Sequence, residues 1–265
     1  MYIPELSYEE HEGLASVAAK AIAVLTKLKT PHTIFGRVEF LVPYSSANAA
    51  ILRHAGLQKS HEDVQPAFHH ELDLQPMLHD IVAAMRPKGR YNIKVAQKHG
   101  VVVERDVSKK GILQFAEIMY ETAERQGYAG RSAQYILDLV HVLDKEGMGG
   151  LWLARYNGVV LAGAMVAFYQ GRASYLYGAS AAADRQVMAP YVLHYTLIEE
   201  AKRRGCDIYD FIGVAPPDAS SSHAWTGISR FKREFGGQTK HYLGSFDMVY
   251  RKGWYSLYRL LRQKQ

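Results

Sequence analysis

The sequence predicts an α/β (α+β) protein built from a repeated unit, and three observations carry that prediction. Segments with helical apolar spacing alternate with short strand-like runs along the 265 residues. Two apolar runs flank Asn157-Gly158, the strongest short-range hairpin signal, so antiparallel strands are present. Finally, HAGLQKS at 54–60 resembles EFGGQTK at 234–240, an offset of about 180 residues. Each copy lies in the order helix, strand, loop, short helix, Gly turn, strand, helix.

The elements follow in order. Residues 12–29 carry Leu14, Val17, Ala18, Ala21, Ile22, Leu25 and Leu28 at helical spacing. Residues 33–42 read as a strand, 47–55 as a short helix stopped by Gly56, 64–74 as a strand and 77–85 as a helix. Residues 90–99 form a basic helix ended by Gly100, and helices follow at 112–125 and 132–145. A meander occupies 151–156, 159–169 and 173–179. A long helix at 190–204 ends at Gly205. A strand at 207–213, a short helix at 228–235, a strand at 241–250 and an aromatic, basic helix at 254–262 complete the chain.

Composition excludes several classes. At 48% hydrophobic and 22% charged the chain builds a globular core. One cysteine, Cys206, rules out a disulfide framework and fits a reducing compartment. No apolar run approaches the roughly 18 residues of a membrane span. The opening MYIPELSYEEHEG lacks a signal-peptide apolar core, so the expected location is cytoplasmic. The twelve histidines form no ligand set: no HExxH or CxxC occurs, and His69-His70 and His32 are read as isolated from acidic or cysteine partners. No metal and no cofactor are expected. Charge is uneven: 220–265 carries a net +7, leaving −1 for the rest, and a second basic island holds Arg86, Lys88, Arg90, Lys94 and Lys98. Such islands point to nucleic acid, phosphate or anionic lipid, or are solvated surface.

Several long motifs then become specific. The run YDFIGVAPPDASSSHAWTGISRFKREFGGQTKHYLGSFDMVY followed by WYSLYRLLR resembles the FemABX-type peptidoglycan bridge aminoacyltransferases, as do MRPKGRYNIKVAQKHGVVVE, QPAFHHELDL and YLYGASAAADRQVMAPYVLHYTLIEEAKRRG. The resemblance covers nearly the whole chain and implies two tandem acetyltransferase-like (GNAT) domains. It implies transfer of an amino acid from aminoacyl-tRNA to the stem peptide of a UDP-linked or lipid-linked muropeptide. The internal repeat agrees with the doubled domain. Residues 1–88 are then a first GNAT-like domain and 89–265 a second with a C-terminal helix. About 88 residues precede the long helix in the second copy and only a dozen in the first, so the first domain is expected to be incomplete. The family's Trp-rich opening motif is absent, and its phosphate-contacting residues of the first half find no counterpart.

The transfer needs an amine held against an activated ester and a fixed cation for the oxyanion. The resemblance places the family's catalytic Phe-Lys pair on Phe231 and Lys232. Arg131 and Tyr135 stand at i and i+4 at a helix start with Ser132 as N-cap, a phosphate-binding arrangement; similar residues in the family contact nucleotide-sugar phosphates. Tyr175 and Tyr177 alternate with Leu176, which puts both on one strand face, as the family's YxY pair lines the muropeptide cleft. The bland alternatives are a basic helix face for Lys232, a surface Arg near a cap with a core Tyr for the second pair, and a sheet face under a helix for the tyrosines.

Rival readings are a GNAT-type N-acyltransferase with another acyl donor and a non-catalytic RNA- or membrane-surface-binding protein. Against the first, Met188 and Pro190 stand where a glycine-rich coenzyme A cradle needs small residues and backbone N–H groups. For the last, Trp254, Tyr255, Leu257, Tyr258, Leu260 and Leu261 with Arg259 and Arg262 suit an anionic inner leaflet, although a packed terminal helix is the simpler expectation.

Overall fold

The computed structural model describes residues 1–6 and 13–262. The elements are β1 (Tyr2–Leu6), α1 (Leu14–Leu28), β2 (Phe35–Pro43), α2 (Ser46–His54), β3 (Gln58–Lys59), β4 (Phe68–Asp73), α3 (Leu78–Ala84), α4 (Pro87–Lys98), β5 (Val102–Arg105), α5 (Lys109–Gln126), α6 (Ala133–Lys145), β6 (Gly149–Tyr156), β7 (Val159–Tyr169), β8 (Arg172–Ser180), α7 (Ala189–Arg203), β9 (Ile208–Gly213), α8 (Thr226–Arg233), β10 (Gln238–Val249) and α9 (Lys252–Arg262). The fold is thus mixed α/β; the segment 189–262 runs α–β–α–β–α, and the segment 14–84 runs in the same order except that two strands, β3 and β4, stand where the other has β10 alone. In each, a left-handed glycine (Gly56, Gly236) follows the short helix and a strand opens at Gln58 or Gln238.

By packing, the chain divides into a unit of residues 1–69 and 240–265 and a unit of residues 70–239. The division drawn from the repeat, at 88/89, is of a different kind and falls inside α4. The polypeptide passes between units within β4 and again within β10.

In the first unit β1 pairs parallel with β2, and β10 pairs antiparallel with both β2 and β3. The helical spacing read from α1 buries Leu14, Val17, Ala18, Ala21 and Leu25, which pack with Val38, Phe40 and Val42 of β2, Leu52 of α2 and Leu243 and Phe246 of β10. Beside this core lie buried polar groups, Glu39 with Ser245 and Arg37 with Asp247. Arg37 donates through Nε and Nη2 to both Asp247 oxygens at 2.7 and 2.9 Å, and the Tyr255 hydroxyl donates to Asp247 Oδ2 at 2.6 Å. That hydroxyl fastens α9 by its single buried residue.

In the second unit the strand order is β4-β9-β8-β7-β6-β5. Strands β5 to β8 are antiparallel neighbours, and Asn157-Gly158 makes the β6–β7 turn with both residues at positive φ. Helices α4 and α7 cover one face, where Ile93, Val192, Leu193 and Leu197 meet Trp152, Val166 and Phe211. Helices α5 and α6 cover the other, where Phe115, Ile136 and Val140 meet Leu151, Leu153 and Met165. The parallel pair β8–β9 is joined only at Arg172–Ile208, Ala173–Tyr209 and Ser174–Asp210. Beyond those three rungs the strands part, leaving a fork at their carboxyl ends, the place where open α/β sheets bind ligands.

Candidate active site

The fork holds Lys232. Helix α8 is short and follows a loop from β9, and its Lys232 turns inward, 6% exposed. Its Nζ donates to Gly213 O at 2.6 Å and stands 5.7 Å over the ring of Tyr175. No other hydrogen-bond partner meets this ammonium among the described residues, which leaves two N–H donors uncommitted. Burial brings its pKa down from the ordinary lysine value to about 8, with Asp210 opposing the shift. The reading of Lys232 as a solvated basic face is therefore corrected: it is a buried cation.

The surroundings explain how the chain holds it. Asp210 is buried and accepts from Arg172 Nη1 at 2.9 Å, which also reaches Glu71 at 2.7 Å. Its other oxygen accepts the Ile212 N–H at 2.6 Å. Ile212 has φ +55, a conformation a β-branched residue rarely adopts. The kink aims the next residue's carbonyl, Gly213 O, at Lys232. Phe231 packs edge-on to Tyr191 and His194 at 5.1 and 5.4 Å, and Phe211 and Phe235 complete the aromatic wall. His194 is fully buried beside the Tyr209 hydroxyl at 2.9 Å, and burial, then the Lys232 charge, lowers its pKa to about 3. The neighbour of the Phe-Lys pair is thus a neutral histidine.

Arg131, Tyr135 and Tyr177 form a second cluster. Ser132 caps α6, accepting the Tyr135 N–H at 3.2 Å. The Arg131 guanidinium lies 5.5 Å from the Tyr135 ring, whose hydroxyl is 3.2 Å from that of Tyr177. The sequence expectation that Tyr175 and Tyr177 share a strand face is not met. Val166 pairs with Tyr175 and Met165 with Tyr177, so a bulge at Leu176 shifts the register. Tyr175 faces α7, its ring 4.6 Å from His194, whereas Tyr177 faces α6. Burial drives the Tyr175 hydroxyl pKa well up. A side chain at Gly178 would strike that hydroxyl, 1.6 Å from an added Cβ. The bulge therefore sends one tyrosine to Lys232 and the other to Arg131.

Sequence reasoning missed Asp210, Ile212, His194 and Glu71, because their roles rest on burial and on one unusual φ. The expectation that His69-His70 are isolated from acids is corrected: a ring nitrogen of His69 and carboxylate oxygens of Glu71 and Asp210 lie within 4.8 Å of one another, and the charge of Asp210 also reaches His70. The Glu71 and Asp210 carboxylates meet the Arg172 guanidinium, a cation supplied by the chain itself. At the start of α7, Met188 is left-handed, Pro190 has no N–H and the Tyr191 N–H donates to Met188 O at 3.0 Å. The first turn therefore offers few free amides to a pyrophosphate.

This parting of parallel strands, with helices on both faces, defines an acetyltransferase-like α/β protein. A tandem GNAT protein from the clavulanic acid biosynthesis pathway aligns with 91% of this chain and 70% of its own at TM-score 0.51 and 11% identity. The crystal structure of FemX aligns with 97% of this chain and 82% of its own at TM-score 0.85 and 19% identity, a likeness of fold. Residues 46–148 and 152–263 match the FemAB family, and the chain belongs to it. The lipid II:glycine glycyltransferase of Staphylococcus haemolyticus (strain JCSC1435) is 23% identical over 283 residues, covering 82% of this chain and 66% of that protein. The chain thus spans just under two thirds of that relative's length.

Proposed function

We propose that the protein is a peptidoglycan bridge aminoacyltransferase, moving an amino acid from aminoacyl-tRNA to a stem-peptide amine of a lipid-linked or UDP-linked muropeptide. The observation that carries this reading is the buried Lys232 ammonium with two uncommitted donors at the β8–β9 fork. Attack of the amine on the ester carbonyl converts its oxygen to an oxyanion, and a preorganised ammonium in a water-poor site stabilises that charge. Phe231 and Tyr175 keep water from the cation. Arg131, with Tyr135 and Tyr177, holds phosphates of the acceptor, which are present before and after the reaction. Family membership and the lipid II-acting relative support the class of reaction. The tandem reading, with halves at 1–88 and 89–265, is part of the proposal and is supported by the shared element order.

The test is transfer of a labelled amino acid from charged tRNA to a muropeptide. Arg131→Ala is expected to raise KM for the acceptor about tenfold with kcat held, because the lost contact is uniform through the reaction. Acetyl-CoA should neither donate nor compete, given the start of α7. Acetyl transfer without amino-acid transfer would replace this reading with an ordinary acetyltransferase.

The helix α9 supports peripheral contact with an anionic inner leaflet. Its Tyr255 is buried, yet Trp254, Leu257, Leu260 and Leu261 are exposed, at 44–62%. Arg251, Lys252, Arg259 and Arg262 accompany them, complementing anionic headgroups. No helix among the described residues is long and apolar enough to cross a membrane. Vesicles containing phosphatidylglycerol should sediment the protein and vesicles of phosphatidylcholine alone should not. Leu257→Ser with Leu261→Ser should abolish the difference; unchanged sedimentation of that variant would remove the membrane assignment.

A further inference from the structure

A second basic recess lies in the same unit as Lys232, at the carboxyl end of α8. It encloses about 340 Å³ and is lined by Arg86, Arg233, His70, Thr239, Gly236 and Gly237. No carboxylate lines it. Arg86 is exposed, and its guanidinium meets no acid among the described residues. Arg233 is half-buried and its one partner there is Ala215 O, at 3.2 Å. Two guanidinium charges therefore face one recess unneutralised, an arrangement that repels itself unless an anion enters.

The rest of the wall is built for the same visitor. Arg86 is the N-cap of the twelve-residue α4, whose amino end has no side-chain cap and carries partial positive charge. His70 is buried, 2% exposed, and its Nε2–H donates to Gly236 O at 2.6 Å. Burial, then the charges of Arg233 and Lys232, lower its pKa, so it stays neutral and adds a fixed dipole. The carboxylate that His70 senses, Asp210, is committed to Arg172. The floor is bare backbone: Gly236 and Gly237 have φ +80 and +83, and a Cβ on Gly237 would sit 2.3 Å from Glu71 O. The two glycines are therefore required by their φ and by the close approach of the Glu71 and Ala84 backbone, and the floor they make carries no side chain. The volume suits a phosphate with an attached sugar.

We propose that this recess binds a phosphate group of a substrate, separately from Arg131. The proposal rests on the transferase reading only for who owns the phosphate: the 3′-terminal phosphodiesters of the donor RNA, or the diphosphate of a nucleotide-linked acceptor. Both are negatively charged phosphate esters that paired arginines bind well.

The experiment is a binding titration without turnover, so a failed transfer assay leaves it interpretable. One arm uses a fluorescent single-stranded RNA ending in CCA, the other a UDP-linked muropeptide. Each is titrated at several salt concentrations against the parent, Arg86→Ala, Arg233→Ala and Arg86→Lys. Arg86→Ala removes a side chain without a hydrogen-bond partner and will fold; a thermal melt checks Arg233→Ala. Each alanine variant should weaken one probe about tenfold and reduce its salt slope by about one. Arg86→Lys should restore the slope. Loss confined to the RNA arm assigns the recess to the donor, and loss confined to the muropeptide arm to the acceptor. If neither alanine variant changes the affinity or salt slope of either probe, the proposal is overturned.

Discussion

Lys232→Met is expected to lower kcat about 10²–10³-fold, the usual loss for one oxyanion donor, while acceptor affinity stays within about twofold. The charge this ammonium opposes exists only in the transition state. A structural lysine would give the reverse pattern, so stability is the deciding control. Burial penalises the charged form, and for lysine that is the protonated form, so the folded pKa drops to about 8 from 10.5. Below pH 8 both folded and unfolded chains hold the proton, and the folded chain bears the full penalty, about 3 kcal/mol. The penalty disappears as pH rises from 8 to 10.5. Methionine removes it but strands Gly213 O, which costs about 1–3 kcal/mol. The melting temperature should therefore move by only a few degrees. The pH profile adds an independent reading: parent kcat should decline above about pH 8 as Lys232 loses its proton. Lys232→Arg should carry that decline upward if it retains turnover. Near-normal kcat in Lys232→Met would end the catalytic assignment.

Asp247→Ala is expected to destabilise the first unit by about 3 kcal/mol, toward the low end of the cost of breaking a buried ion pair, because only the half-exposed Glu62, 3.6 Å from Arg37 Nη1, remains to the guanidinium. Arg37 would remain with its side chain 5% exposed and its bidentate acceptor gone, and α9 would lose the hydroxyl bond of Tyr255. A drop in melting temperature on the order of 10 °C should follow. The double substitution Arg37→Met with Asp247→Leu should recover most of it, since apolar residues of similar volume replace such pairs well. A shift under about 2 °C in Asp247→Ala would show that water reaches the pair.

Much of the fold is legible because local signals and tertiary placement agree. Asn157-Gly158 makes the β6–β7 turn, and of the residues spaced for helix in α1 the structure buries Leu14, Val17, Ala18, Ala21 and Leu25, half-buries Ile22 and leaves Leu28 exposed at the helix end. The strand read at 64–74 shortens to Phe68–Asp73 because its first residues form a loop. Strands β1 and β5 escape notice for different reasons: β1 contains Pro4 within an acidic opening, and β5 is four residues at a sheet edge. At the site, the residue types of the Phe-Lys pair and of the Arg131–Tyr135 helix start are visible in sequence. Their environment is not. Alternation places Tyr175 and Tyr177 together, and a single bulge separates them, because period-two reasoning fails wherever one residue is inserted. Nor does the run of basic residues reveal that Lys232 is buried while Arg86 is not.

The two crossings of the chain, inside β4 and inside β10, set a timetable for synthesis. Strand β2 ends at Pro43 and its antiparallel partner β10 begins at Gln238, 195 residues later. At about 5–20 residues per second, the ribosome needs roughly 10–40 s to deliver that partner. Throughout that interval the edge of β2 and the apolar sides of α1 and α2 are made but unclosed, while residues 70–239 emerge and can close on themselves. The nascent chain therefore carries its longest aggregation hazard in α1, β2 and α2. Holdase chaperones should be found on ribosome-bound chains stalled before residue 238 and released from those stalled after β10 has cleared the exit tunnel.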